Sequence, residues 1–196
     1  MLIPLFCQDV RAKMRSGLLL TCGVLLLSGC ASMSKSECRS ADWLLRGIED
    51  GRQGSATSRV DRHAKACAKV DVIPDRALYL EGHSQGVRAY CVPEVGLKEG
   101  RNNSHYNDVC PADLEADFLR SYIDGLQIKL SNLEIQAQIA NTSLSNLRLE
   151  QAALGGNTNK KLRADINAAE NSLANANRTR LDIQRKIANL RLRITN

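Results

Sequence analysis

The chain has few aromatic residues, few prolines and few histidines. One Trp, four Tyr and two Phe make up only 4% of 196 residues, too few for a surface that stacks nucleic-acid bases. The net charge of +6 is dispersed along the chain, so it does not argue for nucleic acid either. Of the three histidines, His63, His83 and His105, only His63 has a possible metal ligand four residues away, and that is Cys67, one of an even set of cysteines. No Walker loop or His-Glu-x-x-His occurs, which removes the common sequence signatures of P-loop enzymes and zincins. Gly82-His83-Ser84-Gln85-Gly86 has the Gly-x-Ser-x-Gly spacing of an esterase elbow but lies inside a helical pattern and not at a strand-to-helix turn. No segment alternates convincingly as a strand. The longest apolar run, around Leu18–Leu27, falls well short of the ~20 residues that a membrane-spanning helix needs.

That short run has a different meaning. Arg11, Lys13 and Arg15 precede it, and Leu27-Ser28-Gly29-Cys30 closes it. A basic head, an apolar middle and small residues before a cut describe a bacterial export signal over residues 1–29. A plain secretory signal is the alternative reading of Ser28-Gly29, and Met14 is an alternative start. The cysteine at the cut resembles a lipoprotein lipobox. That resemblance implies diacylglycerol on the Cys30 sulfur, cleavage before it, and acylation of the new amino terminus; it implies no other cofactor. Ala31 rather than Asp follows Cys30, which by analogy with lipoprotein sorting implies the periplasmic face of the outer membrane. Several acyl chains anchor stably, where one is marginal.

Of seven cysteines, Cys7 and Cys22 leave with the signal and Cys30 carries lipid. Cys38, Cys67, Cys91 and Cys110 remain, an even set in an oxidising compartment, which reads as two disulfides. Three pairings are open. Cys38–Cys67 with Cys91–Cys110 is preferred because sequential pairing closes the smaller loops, each contributing about 3 kcal/mol in the chain-entropy account. No Cys-x-x-Cys knuckle is present, so a structural metal is not expected.

Small polar residues at 30–39 suit a lipidated tether. From 40 to 111 the chain reads as short helices. The first is capped by Ser40 and carries Trp43, Leu44 and Ile48. A second runs near Thr57–Ala68, a third opens at Pro74-Asp75 and a fourth at Pro93-Glu94, followed by a polar loop over 101–109. Glycines recur four apart: Gly47 and Gly51, Gly82 and Gly86, Gly96 and Gly100. Gly82 and Gly86 read as packing positions, and Gly51 and Gly100 as helix ends.

Trp43-x3-Gly47-x2-Asp50-Gly51, Tyr79-x2-Gly82-x3-Gly86, Tyr90-Cys91 and Tyr106-x2-Val109-Cys110-Pro111 resemble an uncharacterised family of bacterial lipoproteins. Its shared domain has no assigned function, and the resemblance spans about residues 36–125. It implies a small disulfide-bonded domain with four cysteines and assigns no reaction.

Residues 112–196 carry a different pattern. Ala116, Leu119, Ile123, Leu126, Leu130, Leu133, Ala137, Ala140, Leu144 and Leu147 follow alternating steps of three and four. Leu162, Ile166, Ala169, Leu173, Ala176, Arg180, Ile183, Ile187, Leu190 and Ile194 do the same. Gly155-Gly156-Asn157 separates the two series. This is an antiparallel coiled-coil hairpin turning near 155–157, with Leu119 against Ile194, Leu130 against Ile183 and Leu147 against Ile166. The first arm (111–154) holds six acids and three bases, the second (158–196) nine bases and three acids. The arms therefore attract, and each complements its own helix dipole. The fold class is all-α, a small disulfide-bonded helical domain followed by this hairpin.

Two irregularities mark candidate contacts. Arg180 falls in the seam opposite Leu133. Its stem can pack while its head snorkels, or it can mark register or meet a partner. Leu114, Ile128, Ile135 and Leu149 repeat at multiples of seven on the outer face, where a lone hairpin should be polar. That stripe calls for burial against the 40–111 domain, a second copy or a foreign protein. The expected function is non-catalytic: a membrane-anchored envelope lipoprotein that assembles or binds a protein through its coiled coil. A periplasmic hydrolase using His105 and Asp108 is the alternative, and binding of envelope polymers by the basic arm a third.

Overall fold

A computed structural model of the protein describes residues 32–156 and 159–195. The folded unit falls within Ala31–Asn196. Its described residues form seven α-helices and no strand. They are α1 (Lys35–Arg39), α2 (Trp43–Arg52), α3 (Arg59–Cys67, followed by a 3-10 turn at Ala68–Val70), α4 (Arg76–Tyr90), α5 (Pro93–Arg101), α6 (Ala112–Ala153) and α7 (Lys160–Thr195).

Residues 32–39 of the stretch read as a tether are folded. Ser34 and Glu37 form a reciprocal capping box that opens α1, which satisfies two otherwise orphaned amides. Met33 and Cys38 are buried, and Cys38 is bonded to Cys67 at a Cα separation of 5.3 Å. Asp42 rather than Ser40 caps α2, accepting from the Leu45 amide at 3.0 Å. Ser40 instead ends α1, its hydroxyl donating to the Ser36 carbonyl. An aspartate adjacent to the first helical residue outcompetes a serine two positions earlier.

α2 and α4 pack with their backbones touching. A Cβ placed on Gly47 or Gly51 would come within 3.0 Å of the carbonyl oxygens of Tyr79 and His83. Gly82 and Gly86 face Leu44 and Ile48 in the same way. Gly51 is therefore a packing residue and not a helix end. The same correction holds for Gly100, which with Gly96 meets the backbone of α6 near Phe118 and Tyr122, while Gly125 of α6 meets Leu97. Glycine costs ~1 kcal/mol against Ala in a helix interior. The close approach offsets that cost through dispersion contacts that a side chain would forbid.

The second disulfide joins Cys91 to Cys110, with Cα atoms 5.5 Å apart, so the two bridges pair cysteines sequentially. The first ties α1 to α3, and the second ties the end of α4 to the end of the 102–110 loop. Beyond it α6 begins at once, and Phe118, Leu119, Tyr122, Ile123 and Leu126 form one core with Val87, Tyr90, Cys91 and Tyr106. The division at 111/112 follows a change of sequence pattern, whereas the packing runs straight through it. Ile183, Ile187 and Leu190 of α7 complete the same core.

Farther along, α6 and α7 run together as the coiled-coil hairpin. Leu133, Ala137, Ala140 and Leu144 are buried on one arm, and Leu162, Ala169 and Ala176 on the other. α6 leaves the helix through Gly155 and Gly156 at φ +65° and +82°, a backbone conformation glycine adopts without penalty. Asn157, the last residue of the expected turn, lies outside the described residues.

Gly82→Ala is expected to lower stability by about 1–3 kcal/mol, the usual cost of overpacking, despite the better helix propensity of alanine. Thermal unfolding followed by circular dichroism checks this. An unchanged melting temperature would show that α2 and α4 do not touch.

Candidate functional site

The most connected polar group is buried between α2, α3 and α4. Asp50 lies on the face of α2 that carries Gly47 and Gly51, and its side chain is 4% exposed. Its Oδ2 accepts from the Tyr79 hydroxyl at 2.8 Å and lies 2.7 Å from His63 Nε2. Arg59 Nε sits 2.9 Å from Oδ1, yet off the direction of a hydrogen bond, so its contribution is that of charge. The opposite ring nitrogen of His63, Nδ1, meets Ser32 Oγ at 3.1 Å.

Burial raises the Asp50 pKa, but hydrogen bonds from His63 and Tyr79 and the Arg59 charge outweigh it and hold the carboxyl below its ordinary value. Burial, and then the Asp50 carboxylate, push the Tyr79 hydroxyl far above the usual phenol value. A Ser-His-Asp chain is thus present, but His63 is 1% exposed. In such a chain Ser32, which is half-buried, would be the nucleophile and the enclosed imidazole its base. The network holds three helices and the segment around Ser32 together.

The sequence motifs contained Asp50 and Tyr79 without revealing this bond. Glu49-Asp50 reads as an acidic helix surface, yet only Glu49 faces out, pairing with Arg46 at 3.1 Å. The overlooked signal was position: Asp50 is three residues from Gly47, on the helix face that Gly47 and Gly51 bring against α4. His83 is likewise buried, with Nε2 2.6 Å from the Ser55 carbonyl.

His105 is exposed, and the Asp108 carboxylate accepts from Arg193 Nη1 at 2.6 Å. Arg193 Nη2 also donates to Glu115 at 2.7 Å. The guanidinium lies 5.8 Å from the centre of the Tyr106 ring, whose hydroxyl binds Glu115 and the Cys110 amide. Lys186, its pKa lowered by burial, donates to Asn103 at 2.7 Å. The end of α7 is thereby latched onto the 102–110 loop. The basic arm spends part of its charge internally.

On the hairpin, Leu114 is half-buried against the core around Phe118, so it does not belong to a free stripe. Ile128, Ile135 and Leu149 are 39%, 55% and 67% exposed, and Ile139, one turn from Ile135, is 65% exposed. Arg180 snorkels: its Nη2 binds Glu134 at 3.3 Å and Nη1 binds Asn177, while its Nε is buried without a partner. Cys30 and residues 1–29 lie outside the described residues. Among the described residues no cluster of His, Cys, Asp or Glu could hold a metal ion, and no helix is long and apolar enough to cross a membrane.

Residues 42–127 match the model of a family described as a protein of unknown function, DUF2799. The match begins at the α2 cap and ends just past Gly125, so it contains both glycine-lined contacts, α2 with α4 and α5 with α6. It stops where the free hairpin begins. Comparisons with curated proteins and with solved structures return no match.

Because the Asp50 carboxyl is held below its ordinary value, its contribution to stability is complete above the unfolded-state pKa and is lost as pH falls through the folded one. Asp50→Asn is expected to destabilise the protein by about 3 kcal/mol at neutral pH, the cost of breaking a buried pair, and to flatten the acid limb of a stability–pH curve. Denaturant titrations from pH 7 to 3 test both effects. Equal slopes for the two proteins would remove Asp50 from the acid response.

Proposed function

We propose that the protein is a lipid-anchored envelope lipoprotein with a non-catalytic role, whose coiled-coil hairpin is a binding platform for another protein. The observation that carries this reading is the outer face of α6. Ile128, Ile135, Ile139 and Leu149 stand in solvent, and no charged residue occurs from Ile135 to Leu147. Solvated helix faces are normally rich in charge. A face that is uncharged over three turns and carries two exposed isoleucines, Ile135 and Ile139, is stable in water only at a cost, which a partner removes. Beside it, Ile139, Ala140, Ser143, Ala168, Ala169 and Ser172 line an open groove of about 590 Å³, where small side chains admit a bulky one.

The lipid anchor rests on the Leu27-Ser28-Gly29-Cys30 pattern and on two disulfides in the folded unit. The hydrolase reading has little support, since His105 is exposed while Asp108 is held by Arg193. Polymer binding by the second arm is weakened by the same latch.

Labelling with radioactive palmitate is expected to mark the wild-type protein and not Cys30→Ala. In-cell crosslinking through the hairpin should yield a protein adduct that Ile135→Asn with Ile139→Asn abolishes without loss of helicity. His105→Ala with Asp108→Ala should leave that adduct intact. A phenotype tied to the second pair and not the first would replace the platform with an enzyme.

A further inference from the structure

The chain enters the fold at α3. Ser32 bonds to His63, Met33 is 3% exposed beside Cys67, and Cys38 is disulfide-linked to Cys67. Only Ala31 separates Ser32 from Cys30, a reach of at most about 7 Å between Cα atoms. If Cys30 is lipidated, α3 cannot stand away from the bilayer.

The outward side of α3 and its 3-10 turn carries Arg62, Lys65 and Lys69, all exposed. Lys35 and Arg39 are exposed on α1, which packs against both elements. None of these five takes part in an ion pair among the described residues. The acids nearby are mostly committed, Asp61 to Arg76 at 2.6 Å and Glu37 to the Ser34 amide. Asp71 stays exposed in the patch. Two residues on, Ile73 is 88% exposed, more than any other large apolar side chain described. With Val72, Pro74, Ala64 and Ala68 it borders a shallow recess.

Unpaired cations beside a protruding apolar side chain match the chemistry of a bilayer interface, where ammonium and guanidinium groups meet phosphates and an aliphatic tip enters the acyl boundary. We infer that this face, Arg62, Lys65 and Lys69 with Ile73 at its edge, seats the folded unit on an anionic phospholipid surface. The lipid and the face together fix an orientation, where a flexible tether would allow rotation. The inference rests on the anchored reading above.

The mature lipidated protein carrying Ile73→Trp is reconstituted into vesicles with brominated acyl chains, either zwitterionic or containing phosphatidylglycerol. Native Trp43, buried in the core, is the internal reference. The expected result is co-flotation with both vesicles and a blue shift with loss of I73W emission in the anionic ones. Arg62→Glu, Lys65→Glu and Lys69→Glu together should restore the emission while flotation persists. Flotation with no more quenching than wild type overturns the inference and leaves the anchor standing. Quenching indifferent to lipid charge and to the three reversals overturns it as well. Failure to float overturns the anchor, and the seated face with it.

Discussion

The fold depends on helices that approach until their backbones touch. Between α2 and α4, and again between α5 and α6, glycines face carbonyl oxygens of the opposing helix, so that no side chain separates the axes. Such contacts bury little side-chain area individually, and short helices of nine to fifteen residues are marginal alone in water. Close approach compensates by gaining many dispersion contacts in a small volume. It also fixes rotation about each helix axis. That rotation turns Asp50 inward towards Tyr79 and His63 and leaves Glu49 in solvent. The buried network is thus a consequence of glycine placement.

Two physical regimes share one chain. The first is compact, bridged by disulfides and organised around few atoms in tight register. The second is a repetitive seam in which each layer contributes a similar increment. α6 belongs to both: its first turns present Phe118, Tyr122 and Gly125 to the compact part, and its later turns present Leu133 to Leu144 to α7. The family match ends at residue 127, close to where one regime gives way to the other.

Legibility followed repetition. The seam residues were readable because a period of seven recurs many times, and one misplaced residue, Arg180, does not hide it. The cysteines were readable as two disulfides from their even number. Single positions were harder. Gly51 and Gly100 look the same in a sequence whether they end a helix or line a contact, because the deciding atom belongs to another helix. Asp50 and Glu49 are chemically alike, and only the angle set by the opposing backbone distinguishes them. The folding of residues 32–39 depends on a bridge to Cys67 and a bond to His63, both distant in sequence. The latch of Arg193 on Asp108 and Glu115 spans more of the chain still, and no local pattern announces it.

That latch has a consequence for the order of events during synthesis. Ile183, Ile187 and Leu190 close the core around Phe118 and Tyr122, so the compact part stays incomplete until nearly the last residues emerge. Closing a loop of this length costs entropy before any contact repays it. A nascent chain in this condition keeps apolar surface open and resists premature folding. Under the proposed export of this chain as a lipoprotein, late closure would keep it competent to thread a narrow translocation channel.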